Sequence, residues 1–156
     1  MAPAALDIVL FDVGRQRYGL SLADVERVIR AVAVTPLAGA PAIIEGVINL
    51  HGAIAPVLDL RARFGHRARR MGVDDVLIVA RAGHRQVAIR ADHAVGLARI
   101  DPAELHDPAA VTPGGALVAG IATLPDGIVL VHDLKTFLTQ AEEDQLDALA
   151  SDQDQP

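Results

Sequence analysis

The chain contains no cysteine, and aromatic residues make up only 3% of its 156 residues. Without cysteine there are no disulfides, no thiolate metal sites and no cysteine nucleophile, and the absence fits a reducing compartment. So few rings leave little on which single-stranded nucleic acid could stack its bases, and a formal charge of −6 points the same way. No apolar run approaches the roughly 18 residues of a membrane span. The opening MAPAALD has neither a basic region nor an apolar stretch of signal-peptide length. The expectation is a cytoplasmic protein with no nucleic acid partner and no direct membrane insertion. P-loop, dinucleotide-fingerprint, G-x-S-x-G and H-E-x-x-H patterns are all missing. His66, His84, His93, His106 and His132 lack the close spacing of a metal site. The residues therefore predict no catalytic group, no cofactor and no metal.

What is present is a repeat. GVINLHGAIAPVLDL, residues 46–60, lies without a gap on GIATLPDGIVLVHDL, residues 120–134, so that Gly46 meets Gly120, Leu50 Leu124, Ile54 Ile128, Val57 Val131, Asp59 Asp133 and Leu60 Leu134. Each stretch reads as two short strands around a turn, at His51-Gly52-Ala53 in the first. Pro56 cannot donate a ladder hydrogen bond and so predicts an edge strand or a bulge. An earlier hairpin repeats as well: LDIVLFDVG and YGLSL flank Gly14, VLIV and QVAIR flank Gly83, Leu20 aligns with Ile89, and after a one-residue slip Asp24 aligns with Asp92.

Between these hairpins SLADVERVI reads as one or two helical turns, with Ser21 as cap, Asp24 three positions on, and Leu22 and Val25 on one face. Residues 31–41 form a loop punctuated by Pro36, Gly39 and Pro41, and 101–115 a second loop with three prolines and two glycines. RARFGHRARRMG holds five of the thirteen arginines and reads as a helical turn and a solvated connector. Thr139 and Glu142 have capping-box spacing at the start of a closing helix over about 140–150, whose Leu146 and Leu149 would dock on a barrel, and SDQDQP reads as a frayed tail.

The repeat predicts one domain, 1–156, made of halves at about 6–65 and 73–138. A unit of about 70 residues has a marginal core of its own, so the halves should bury an apolar face against each other. Short strands with turns between them predict small barrels.

At GVINLHGAIAPVLDLRARFG the sequence resembles the CheW family of bacterial chemotaxis coupling proteins. The family pattern G-V-x-N-L-R-G-x-x-x-P-V-x-D-L-R is met in register by Gly46, Val47, Asn49, Leu50, Gly52, Pro56, Val57, Asp59, Leu60 and Arg61. The resemblance implies a mainly β fold of two packed SH3-like five-stranded barrels with short connecting helices and a C-terminal helix. It implies a non-catalytic adaptor that couples the cytoplasmic tip of chemoreceptors to the regulatory domain of a CheA-type histidine kinase, in the cytoplasm at membrane-associated receptor arrays. The same class could serve a twitching or surface-sensing pathway; a small-molecule-binding barrel or minor enzyme is the reading from a different class. Two residues depart from the family pattern. His51 stands where arginine is usual and Arg27 where glutamate is usual, both at positions of the family's receptor-facing surface. The loop from Pro102 to Gly115 lacks the aromatic residue that some relatives carry there.

The receptor-binding candidates are Val25, Arg27, Asn49, Leu50, His51 and Gly52, which would line one groove for a helical hairpin. Against this, Val25 reads equally as core, Arg27 as solvated and His51 as a turn residue tolerant of many side chains. Replacing His51 by arginine is expected to strengthen receptor binding. Asp59 and Asp133 resemble a pair of catalytic carboxylates, but their equivalent places in the repeat make each the cap of the turn that follows.

Overall fold

The computed structural model describes residues 5–65, 67, 69–70, 72–106, 118–134 and 140–153. Strands β1 (Leu6–Val13), β2 (Gln16–Ser21), β3 (Val25–Arg30), β4 (Ile44–Leu50) and β5 (Ala53–Asp59) precede helix α1 (Leu60–Phe64). Strands β6 (Val76–Ala82), β7 (Arg85–Ala91), β8 (His93–Ile100), β9 (Leu105–His106), β10 (Val118–Leu124) and β11 (Gly127–His132) follow, and helix α2 (Gln140–Gln153) comes last. They form two sheets, ordered β8-β1-β2-β11-β10-β9 and β3-β6-β7-β5-β4. Each sheet is an SH3-like barrel of five main strands; β9 adds a two-residue sixth to the first barrel.

The register of the repeat is kept in space. Val57 and Leu58 lie parallel beside Ala88 and Ile89 in the second barrel, and their counterparts Val131 and His132 lie beside Gly19 and Leu20 in the first. Ile29 opposite Leu77 matches Ala98 opposite Ile8, with the same bulge two residues further along. Both copies of the motif hairpin also bulge at the same place, just before Gly46 and just before Gly120.

Each barrel nevertheless draws strands from both copies: β1 and β2 sit with β8, β10 and β11, while β6 and β7 sit with β3, β4 and β5. The two barrels therefore do not coincide with the halves at about 6–65 and 73–138. The cause is local. After β2 the chain makes a single 3-10 turn at Leu22–Asp24, which does not reverse it as a hairpin turn would, so β3 leaves the first sheet and pairs with β6 of the second.

The same segment corrects the helical reading of SLADVERVI. Ser21 makes no side-chain cap bond, and only Leu22–Asp24 is helical. Val25, Val28 and Ile29 are β-branched, and the ladder with β6 satisfies the backbone of Val25–Arg30 as strand. Pro56 lies in an interior strand, between β7 and β4, not on an edge. It is accommodated because the parallel ladder with β7 begins only at Val57.

Alternate residues of the central strands serve different cores, which is why these strands read as continuous apolar runs. Leu77, Val79 and Ala88 join Ile48, Ala55 and Val57 inside the second barrel. Ile8, Leu10, Ala122, Val129 and Val131 fill the first. Between the barrels a third and larger core collects Phe11, Val13, Tyr18 and Leu20 from one sheet and Ile78, Ala80, Ala82, Val87 and Ile89 from the other. Phe11 and Tyr18 stack there with ring centroids 5.8 Å apart. Burial pushes the Tyr18 hydroxyl up to about 12, so it stays neutral.

Leu146 of α2 docks on this seam, and Glu142 and Glu143 stand in the first turn of that helix. The helix continues to Gln153, three residues beyond the expected end and into the stretch read as a tail. Thr139, the side chain of Leu149 and the loop 107–117 lie outside the described residues.

Candidate functional site

The candidate residues come together at the rim of the second barrel, around the turn between β4 and β5. Leu50 pairs with Ala53, which leaves His51 and Gly52 as a two-residue hairpin loop. Such a loop favours positive φ at both positions, and here φ is 51° at His51 and 90° at Gly52. Asn49 fixes the turn, its Oδ1 accepting from the Gly52 N–H at 2.8 Å. His51 is thus not a position tolerant of any side chain; β-branched residues are strained at that φ.

The bulge at Glu26 decides what β3 presents. Val25 faces Ala80 and packs, half-buried, against the inter-barrel core. Arg27 stands opposite Val79, a residue of the second barrel's interior, so its side chain reaches over the barrel mouth. There its Nη1 lies 3.3 Å from His51 Nε2. Leu50, by contrast, is only 8% exposed and packs inside the barrel, so it supports the turn and offers no side-chain contact. The structure joins Arg27, Asn49, His51 and Gly52 into one surface, places Val25 at its inner border, and removes Leu50 from it. Ile54, opposite Asn49 and 56% exposed, extends the surface.

Exposed aliphatic residues recur at equivalent places in the two barrels. Val28 on β3 corresponds to Leu97 on β8, and Ile54 on β5 to Ile128 on β11; all four are exposed.

A second cluster was not legible as one. Asp92, just after β7, accepts from Arg61 Nη2 at 2.6 and 2.8 Å, from Arg69 Nη2 at 2.6 Å and from the Gly14 N–H at 2.8 Å. Arg69 also meets Asp75 at 2.8 Å. Arg90, with its side chain 2% exposed, meets Asp75 at 3.3 Å and Glu45 at 2.6 Å. Burial pushes the Asp92 carboxyl up, but the bonds from Arg61, Arg69 and Gly14 outweigh it and hold the group down at about 2. Burial acts upward on Asp75 too and is outweighed by Arg69 and the Gly72 N–H, so its pKa is lowered. At Glu45 burial wins over Arg90 and the pKa is raised. This corrects the reading of the arginine run as a solvated connector in part: Arg61 is buried and Arg69 pairs with Asp75 and Asp92, while Arg67 and Arg70 are exposed as expected. The signal in the sequence was the unassigned acids Asp75 and Asp92.

Asp59 caps α1, its Oδ1 accepting from the Arg61 N–H at 3.0 Å, as a residue ending a strand before a helical turn would. The turn that follows Asp133 lies outside the described residues. Among the described residues no group of side chains could hold a metal ion, and no helix is long and apolar enough to cross a membrane.

A model of the CheW-like domain matches residues 7–142. The chain belongs to the CheW-like domain family. Among CheW relatives, the chemotaxis protein CheW of Klebsiella aerogenes is 28% identical over 147 residues, which cover 92% of this chain and 88% of that one. Protein FrzA of Myxococcus xanthus is 36% identical over 98 residues, 63% of this chain and 61% of that one. The crystal structure of the scaffolding protein TtCheW from Thermoanaerobacter tengcongensis superposes with a TM-score of 0.80 at 31% identity, covering 90% of this chain and 92% of that one. CheW family members of this fold are chemotaxis coupling adaptors.

Proposed function

We propose that this chain is a non-catalytic adaptor that joins the cytoplasmic tip of methyl-accepting chemoreceptors to the regulatory domain of a CheA-type histidine kinase at receptor arrays. The adaptor class comes with family membership; the partners and the assignment of surfaces are this proposal's own. One observation carries it: Val28 and Ile54 on one barrel, and Leu97 and Ile128 on the other, leave aliphatic side chains exposed at equivalent places. A protein that bridges two partners needs two such faces, each apolar at its centre with a polar rim. The rim with Val25, Arg27, Asn49, His51 and Gly52 is assigned to the receptor tip, and the Leu97 and Ile128 face to the kinase domain. Each contact alone is modest, and an array strengthens both through avidity.

The geometry favours this over a small-molecule site. One surface cleft, of about 500 Å³, holds Arg17 already paired with Asp12 and Asp126. Another, of about 650 Å³, is walled by Val32, Val34, Pro36 and Val73 with Glu45 and Arg70 among them, and is open to solvent.

Co-purification with a kinase regulatory domain and with a soluble receptor-tip fragment tests the reading. The chain should bind both at once. Ile128→Asp should weaken the kinase contact by at least about tenfold and leave the receptor contact intact. Binding of neither partner would reject the adaptor; equal kinase binding by the variant would reject the assignment of faces. A twitching or surface-sensing pathway differs only in which receptors the chain captures.

A further inference from the structure

The rim of the second barrel brings two nitrogen groups together, and among the described residues no acid bonds to either. Arg27 and His51 meet at 3.3 Å, and both are exposed. Among the described residues His51 is the only polar partner of Arg27. The nearby acids are engaged elsewhere or make no bond to the pair. Glu26 on the same strand is held by Arg81 at 2.9 Å and by Gln86 at 2.8 Å. Glu45 on β4 is held by Arg90, and Asp59 on β5 caps α1. Asp24, in the turn before β3, bonds to neither. Arg30 at the far end of β3 adds a further positive charge, and residues 31–41 contain no titratable side chain.

A guanidinium can donate to an imidazole nitrogen only while that imidazole is neutral. Once the ring takes up a proton, two cations face each other, and an anion between them is the arrangement that relieves the repulsion. The backbone on either side of the pair is fixed, at His51 by its turn and the Asn49–Gly52 bond and at Arg27 by the β3 ladder after its bulge. It is also particular to one barrel. The repeat places Gly96 and Pro125 at the counterparts of Arg27 and His51.

We propose that Arg27 and His51 form a carboxylate clamp that receives a Glu or Asp side chain from a docked partner helix. The clamp rests on the adaptor reading for the identity of the partner, the receptor tip, and on its own geometry for the chemistry. Carboxylate binding stabilises the protonated imidazole, so the contact takes up a proton and tightens as pH falls.

Two measurements on the full chain decide it. In the first, propionate is titrated at fixed ionic strength while the His51 ring is followed by NMR. Saturable shifts of that ring, lost in Arg27→Gln, are expected; an indifferent ring overturns the clamp whether or not any receptor binds. In the second, a receptor-tip fragment is bound at about pH 5.5 and about pH 7.5, which bracket the usual imidazole titration. Wild type should bind several-fold more tightly at the lower pH. His51→Asn, which suits the positive φ, should lose that dependence, and His51→Arg should bind at both pH values as wild type does at the lower one. Arg27→Glu should bind at least about tenfold more weakly, and a Glu→Lys change in the tip should recover part of the loss. A tip that binds wild type and Arg27→Glu equally, with no pH dependence, overturns the clamp and leaves the adaptor standing. A tip that does not bind wild type at all counts against the receptor reading alone, and the propionate titration then decides the clamp.

Discussion

The two barrels share one set of registers and differ in what fills them. Where the first barrel faces the seam with Phe11, Val13 and Tyr18, the second presents the counterparts Ala80, Ala82 and Val87. Large groups from one copy lie against small groups from the other, which lets the sheets approach and interdigitate. Only four aromatic residues exist in the chain, three Phe and one Tyr, and two of them are committed to this seam. The charged groups divided as unevenly. The second barrel and its linker hold Arg90, Asp75, Asp92 and Arg61, while Ser21 stands at the Arg90 counterpart in the first. A duplicated unit thus keeps its backbone pairing while its two seam faces become complementary.

The sharpest way to break this comparison is at the seam. Phe11→Ala should destabilise the protein by about 3–5 kcal/mol, as expected for a fully buried ring whose surroundings cannot collapse. Ala80→Gly at the counterpart should cost about 1 kcal/mol, mostly through strand entropy. Denaturant unfolding measures both, and similar losses would mean that the two faces contribute alike.

The charge network gives the next largest effect. Asp92→Asn leaves buried Arg61 without its carboxylate and should cost about 3 kcal/mol near neutral pH. Because the Asp92 pKa is lowered in the fold, from an ordinary 3.8 to about 2, its contribution is fully present above about pH 4 and is lost as pH falls toward 2. Wild type should therefore lose stability over that window more steeply than Asp92→Asn. Parallel acid-stability curves would show that the network does not stabilise the fold.

The smallest test compares the two bulges. A Cβ on Gly46 would sit 2.3 Å from the Thr35 carbonyl oxygen and 2.6 Å from a Val34 methyl, whereas on Gly120 its nearest neighbour is a Leu105 methyl at 3.1 Å. Backbone yields less readily than the end of a leucine, so Gly46→Ala should cost about 2 kcal/mol and Gly120→Ala under about 1. Thermal unfolding of the two variants should rank them in that order.

Much of the fold was legible along the chain. The four hairpins, their turns at Gly14, His51-Gly52 and Gly83, and the cap at Asp59 all follow from alternation and turn chemistry between near neighbours. The segment Val25–Arg30 was misread because short apolar spacing fits a helix as well as a strand, and the ladder with β6 that settles it is made with residues about fifty positions away. The candidate site was half legible. Motif position marked Asn49, His51 and Gly52, but the face of Arg27 depends on a bulge, and the burial of Leu50 depends on which side of β4 meets the barrel interior.

The order of amino acids by itself determined that this is a β protein built from a repeated unit, since repeats and local periodicity are written in neighbouring residues. Only the tertiary structure decided that the two copies exchange strands, that three arginines and three acids join into one network, and that Arg27 meets His51. Those outcomes depend on pairings between distant segments, and the hydrogen bonds and desolvation that select them exist only once both partners are in place.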